Sequence, residues 1–132
     1  MASIHREVRI QASADQVWDA MRDVGALHTR LCPGFVIDTK MEAKDVRLVT
    51  FANGRQAREM IVSVDDAARR VCWAIVDEPF VHYNGAAHVT PLDDGACRFT
   101  WLSDLLPNEL EPTVTAMIEA GIADIKRTQE RT

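Results

Sequence analysis

The sequence has no CxxC pair and only three cysteines, Cys32, Cys72 and Cys97, an odd and widely spaced set. Four-ligand zinc spacing is therefore absent, and three buried, reduced thiols are expected. The six glycines stand singly, at 25, 34, 54, 85, 95 and 121, so there is no glycine-rich phosphate loop. No run reaches transmembrane length, and the opening MASIHREVRI lacks the apolar core of a signal peptide. Positive charge is in short supply: 15 Lys and Arg stand against 20 Asp and Glu, a net charge of −5. That balance argues against a nucleic-acid or anionic-membrane partner, which would want a basic patch. Repeats, linkers and low-complexity segments are missing too. What is there is 132 residues, 47 % hydrophobic and 27 % charged, which fits one soluble domain with one core. A cytoplasmic location is the default expectation.

Residues 3–10, SIHREVRI, alternate with Ile4, Val8 and Ile10 on one side and predict a strand. In SADQVWDAMRDV, Ser13 followed by Gln16 reads as a capping box. Val17, Trp18, Met21 and Val24 then recur at helical spacing, predicting a short helix over about Ala14–Asp23 with room for one more turn to Leu27. Cys32-Pro33-Gly34 breaks this segment. From Phe35 to Leu106 the pattern is strand-like, punctuated at 44–45, Asn53-Gly54, 65–69, 77–79 and 93–95. Six strands in series with short turns make an antiparallel meander. Beyond Pro107, one apolar stripe (Leu110, Val114, Met117, Ile118, Gly121, Ile125) predicts a long amphipathic helix, capped by Asn108 or Glu111. It is the only large apolar partner for the sheet, which should curl around it.

Pairing residues across the turns gives the expected faces. A three-residue loop at 93–95 sets Val89 against Phe99, Ala87 against Trp101, Gly85 against Ser103 and Tyr83 against Leu105, all inward. The opposite face carries His88 with Thr100, Asn84 with Asp104 and His82 with Leu106. Across 77–79, Trp73 falls near Tyr83 and Ile75 near Val81. Across 65–69, Val62 meets Trp73 and Val64 meets Val71, with Arg58 near Asp77. A two-residue turn at Asn53-Gly54 sets Val49 against Arg58 and Phe51 against Gln56, and Ile37, Thr39 and Met41 follow on the inside. Arg58 and Met60 thus face inward, and the separate registers agree on which face is buried.

The small residues Gly85, Ala87 and Ser103 lie among Trp73, Tyr83, Phe99 and Trp101, opposite Met117 and Gly121 of the helix. They either interdigitate tightly or leave space, and a long curved sheet over a single helix favours a cavity. His82 and His88 lie six residues apart, about 20 Å along an extended strand, too far for one metal, and they face outward. His28 reads as a loop histidine. Ser103 has no histidine near it for a nucleophilic triad.

"SADQVWDAMRDVGALHTRLCPGF" and "HYNGAAHVTPLDDGACRFTW" resemble the helix segment and late hairpin of the START-like (SRPBCC, helix-grip) superfamily, in particular its polyketide cyclase/dehydrase-type members. The resemblance implies an α+β fold: a seven-stranded antiparallel sheet wrapped around a long C-terminal helix, with two short helices between strands 1 and 2. It also implies a tunnel between sheet and helix where ligands bind. The expected function is binding of a hydrophobic or aromatic small molecule, and whether cyclase or dehydratase chemistry is done on it stays open. Plain carriage or sensing of a lipid-like ligand, or a protein-interaction domain with a filled core, are the alternatives. Expected ligand-binding residues are Arg58, Met60, Trp73, Tyr83, Gly85, Phe99, Trp101, Ser103, Met117 and Gly121, with Arg6 and Thr39 as further polar candidates. Arg58 and Tyr83 are the candidates for catalysis, polarising a carbonyl. No cofactor or metal is expected, and the protein should be a monomer or homodimer.

Overall fold

The computed structural model describes residues 1–132. Its elements are β1 (Ala2–Ile10), α1 (Ala14–Arg22), a π-helical turn (Leu27–Leu31), β2 (Val36–Ala43), β3 (Val46–Phe51), β4 (Gln56–Asp65), β5 (Arg70–Ile75), β6 (His82–Pro91) and β7 (Cys97–Leu106). A single 3₁₀ turn (Asn108–Leu110) leads into α2 (Glu111–Arg131). The seven strands form one antiparallel sheet in the order β1-β7-β6-β5-β4-β3-β2. This is the helix-grip arrangement, with α1 and the short turn between the first two strands.

The core lies between the concave face and α2. Val114, Ile118, Ile122 and Ile125 of α2 are buried together with Ile4, Ile10, Phe99 and Leu105 of the sheet. Ser13 caps α1, its Oγ accepting from the Gln16 N–H at 3.1 Å. The reciprocal half of the capping box is not made, because the Gln16 side chain donates instead to the Gln129 carbonyl of α2, at 2.8 Å. Neither Asn108 nor Glu111 caps α2 with its side chain: Asn108 opens the 3₁₀ turn, and Pro112 occupies the first helical turn, where its missing N–H costs nothing.

The two ends of α2 are held differently. In its C-terminal half, Asp124 Oδ2 accepts from the backbone N–H of Gly34 (2.9 Å) and Phe35 (3.1 Å). Gln129 donates to the Arg30 carbonyl at 2.8 Å, Lys126 to the Arg9 carbonyl at 2.7 Å, and Glu130 accepts from the Gln11 N–H at 2.8 Å. In the N-terminal half the one polar link to the sheet is a loose, exposed Arg6–Glu119 contact at 3.9 Å. Arg6 is thereby held at the rim, on an edge strand.

The β6–β7 register is the one read from the sequence, from His82 against Leu106 to Val89 against Phe99. Three other registers differ. Trp73 pairs with Gly85 rather than falling opposite Tyr83, a slip of two residues that keeps the face. The Asn53-Gly54 turn is one residue longer than a two-residue hairpin. Phe51 N–H donates to the Arg55 carbonyl (2.8 Å), Gly54 N–H donates to the Phe51 carbonyl (2.9 Å), and Gly54 takes the left-handed conformation at φ 86°. Val49 therefore pairs with Ala57, and Leu48 with Arg58. A β-bulge at Val62 then resets the strand, so that Ile61 meets Trp73 while Val64 still meets Val71. Between turn and bulge, β4 presents its odd-numbered residues to the interior. Arg58 and Met60 point outward as a result. On β2, Thr39 is buried; an irregularity at Ile37 leaves that side chain exposed, while Met41 keeps the Thr39 face opposite Arg47 but is 38 % exposed.

Candidate functional site

The concave sheet, α2 and the Leu27–Leu31 turn enclose a cavity of about 170 Å³. Of its 28 lining residues 22 are hydrophobic, so its few polar groups dictate any chemistry. Arg55, Gln56, Pro79 and Thr113 of the lining are exposed and mark the opening, beside the β3–β4 turn and the start of α2.

Of the residues expected to bind ligand, Trp73, Tyr83, Phe99, Trp101 and Met117 line the cavity. Trp73 and Trp101 meet edge to face at 5.7 Å, and Phe80 leans on Tyr83 at 4.9 Å. Gly85, Ser103 and Gly121 lie behind this wall. A Cβ at Gly85 would stand 2.6 Å from the Trp73 indole, and one at Gly121 would stand 3.0 Å from both Phe35 and Trp101. These glycines seat aromatic rings; they do not leave space. Ser103 is sealed beneath Tyr83, their hydroxyls hydrogen-bonded at 2.8 Å.

Arg58 and Met60 are corrected. Arg58 is bound on the outer side to Glu42 (Nε–Oε1 2.6 Å) and Asp77 (Nη1–Oδ2 3.1 Å), with 44 % of its side chain exposed. The Asp77 pairing was legible; the outward direction was not, because the expected registers lacked both the longer turn and the bulge at Val62. Met60 is exposed beside it. His82 is exposed and His88 half-buried on the outer face, where burial lowers the His88 pKa. His28 is half-buried outside the cavity lining.

In place of Arg58, the structure puts Arg47 and Glu59 in the wall, 4 % and 6 % exposed. Arg47 Nε donates to Glu59 Oε1 at 2.9 Å, and Nη2 lies 2.8 Å from the same oxygen. Arg47 Nη1 donates to the Val24 carbonyl at 3.1 Å, and the guanidinium lies 5.8 Å from the centre of the Trp73 ring. The sequence held a signal for Arg47: it shares parity with Val49 in β3. Glu59 was hidden by the turn length.

The Tyr83 phenol and the Cys32 thiol stay protonated at neutral pH. Burial pushes the Tyr83 phenol up to about 12; the Ser103 hydrogen bond opposes this and the Glu59 charge adds to it. Burial, then the Asp124 carboxylate, pushes the Cys32 thiol up to about 12, so it is no thiolate nucleophile. No group of three or more His, Cys, Asp or Glu side chains is placed to hold a metal ion. No helix is long and apolar enough to cross a membrane.

A family profile described as polyketide cyclase / dehydrase and lipid transport matches residues 1–130. The chain belongs to this family. The description spans both chemistry and carriage, so membership does not choose between them. A search of curated proteins finds no match. Among solved structures, the cyclase/dehydrase-family chain is similar to an uncharacterised protein from Bacillus thuringiensis, at 18 % identity and TM-score 0.84, over 96 % of this chain and 97 % of that one. It is also similar to norcoclaurine synthase from Thalictrum flavum in complex with a transition-state analogue, at 20 % identity and TM-score 0.74, over 96 % and 92 %. The di-domain ARO/CYC BexL of the BE-7585A biosynthetic pathway aligns at 17 % identity and TM-score 0.80, over 97 % of this chain but 46 % of BexL, so the chain spans about half of that protein. At these identities the likeness is one of fold.

Proposed function

We propose that the protein binds a small hydrophobic or aromatic molecule in the cavity between the sheet and α2. The observation that carries this reading is the hole itself, about 170 Å³ and walled by Trp73, Tyr83, Phe99, Trp101 and Met117. A polar hole would fill with water; an apolar one of this kind takes an apolar guest. The volume is close to the ~150 Å³ of an apolar cavity that accepts benzene and below the roughly 300 Å³ of drug-sized sites. A single ring fits as the cavity stands, whereas a fused-ring product needs it to widen. Membership of a family described by cyclisation, dehydration and lipid transport supports the same reading.

The test is thermal stabilisation by a panel of single-ring aromatics and short aliphatics. A binder at a hundred times its dissociation constant adds about 2.7 kcal/mol to stability. Ala87 lies on the cavity wall, and Ala87→Leu should abolish the shift. A panel that stabilises neither protein, or both equally, refutes the reading.

A second reading, acid/base chemistry on the bound molecule, is favoured by one observation: the Tyr83 phenol and the Glu59 carboxylate both line the cavity. With Ser103 donating to the Tyr83 oxygen, the phenol proton would be free for a ligand carbonyl while Glu59 accepts a proton from the neighbouring carbon. Turnover of an enolisable aryl ketone, lost in Tyr83→Phe and in Glu59→Gln with binding retained, would support it. Exchange of that ketone's α-hydrogens at the uncatalysed rate would refute it.

A further inference from the structure

We propose that Glu59 Oε2 is the ligand's hydrogen-bond acceptor, which makes the cavity selective for a compact, uncharged ring bearing an O–H or N–H donor. This rests on the cavity being the ligand site. Arg47 Nε donates to the carboxylate oxygen Oε1, and Nη2 lies 2.8 Å from that same oxygen. The pair is therefore not a two-oxygen fork, and Oε2 accepts from no protein group. A carboxylate oxygen in a largely apolar wall with no protein donor leaves a hydrogen bond unmade, and Oε2 is not among the fully enclosed unpartnered polar atoms, so a molecule in the cavity can reach it. A ligand donor would make that bond.

The other polar groups of the lining do not compete for this role. Arg55, Gln56 and Thr113 lie at the exposed opening. The Tyr83 hydroxyl is engaged with Ser103, and Trp101 Nε1 is sealed from any guest, without a partner. Charge then selects among donors. Arg47 and Glu59 together are neutral, so an uncharged hydroxyl or amide keeps the wall neutral. An ammonium would leave an uncompensated positive charge in a hydrophobic space, and a carboxylate would meet Glu59 as a like charge. The volume limits the guest to about one ring.

The experiment is NMR titration of the full chain with phenol, toluene, benzaldehyde and benzylammonium, following the Trp73 and Trp101 indole signals. Phenol gives up a hydrogen bond to water on entry, so in a purely apolar hole it binds more weakly than toluene. Here it should bind at least as tightly as toluene, with benzylammonium weakest. The double variant Arg47→Met/Glu59→Leu replaces the pair by apolar groups of similar volume, an exchange that usually preserves folding. In it, phenol should weaken at least about tenfold, the weight of one hydrogen bond to a charged acceptor, while toluene holds or gains. Toluene binding well ahead of phenol in the wild type overturns the acceptor role and leaves the cavity as the ligand site. Benzaldehyde ahead of phenol transfers recognition to Arg47 and overturns it too, as does benzylammonium ahead of phenol. If none of the four binds, the ligand-site reading falls and takes this one with it. Should the double variant fail to fold, the wild-type order of the four probes decides alone.

Discussion

The β3–β4 and β6–β7 hairpins turn in the same way but build walls of different character. Each closes on a three-residue loop whose last residue is a left-handed glycine, Gly54 at φ 86° and Gly95 at φ 84°. From Gly95 the β6–β7 ladder runs unbroken to His82 and Leu106. From Gly54 the β4 ladder runs only to the bulge at Val62. The unbroken hairpin gives the cavity aromatic rings and one mutually satisfied hydroxyl pair. The interrupted strand gives it Glu59, and β3 beside it gives Arg47. Charge enters the interior at the wall whose alternation is set by an irregular strand. The bulge confines that charge to a short stretch before the strand reverts to Val64 against Val71.

The sharpest way to break this contrast is to compare two arginines on neighbouring strands. Arg47→Ala or Glu59→Ala leaves its partner's charge buried and should cost about 3–5 kcal/mol in denaturant unfolding. Arg58→Ala removes a half-exposed, solvent-screened pair and should cost far less. Equal costs would mean that β4 faces the other way. Glycines give the next largest effects. Gly85→Ala drives a methyl into the Trp73 ring and should cost about 1–3 kcal/mol. Gly54→Ala and Gly95→Ala meet no neighbour within 4 Å. They should lose about 1 kcal/mol each through backbone strain alone, and by similar amounts if the two turns are alike.

The aromatic wall also predicts a pH dependence. Tyr83 and Cys32 are acids whose folded pKa values, about 12, lie above their ordinary values of 10.0 and 9.0. Their contribution to stability is complete below about pH 9 and is lost as pH rises toward 12, because the unfolded chain releases those protons first. The midpoint of thermal unfolding should fall over that range, and Tyr83→Phe with Cys32→Ala should flatten the fall. An unchanged slope would mean that neither group is buried as described. The smallest effect belongs to the bulge: Val62→Thr, on an exposed side chain, should stay within about 0.5 kcal/mol.

The architecture was legible because its signals are long. Period-two strands, a break at Cys32-Pro33-Gly34 and a helical stripe from Val114 to Ile125 each spread over many residues. The β6–β7 hairpin was legible to the residue because Asp93-Asp94-Gly95 declared its own loop length. The charged part of the cavity was not, for a reason the two hairpins make plain. Asn53-Gly54 suits a two-residue turn as well as a three-residue loop beginning at Ala52, and that single residue inverts every side chain of β4. The register carried back from 65–69 ran the other way along the same strand and gave the same wrong face for Arg58, because the bulge at Val62 leaves no mark in the sequence. Two unread irregularities, each inverting the strand, agreed with each other. Agreement between local registers is evidence only when the strand between them is regular.

The uneven fastening of α2 has a mechanical consequence. Asp124, Lys126, Gln129 and Glu130 staple one end of the rod to three stretches of backbone, at Arg9–Gln11, Arg30 and Gly34-Phe35, while the end from Glu111 to Met117 leans on the opening through side-chain packing. Swelling that admits a guest larger than one ring would be easiest at the less fastened end, where the helix is held by packing and by its short connection to β7. The floor by Leu31 and Ile125 keeps its dimensions, so bulk on a ligand is tolerated toward the mouth and penalised toward the base.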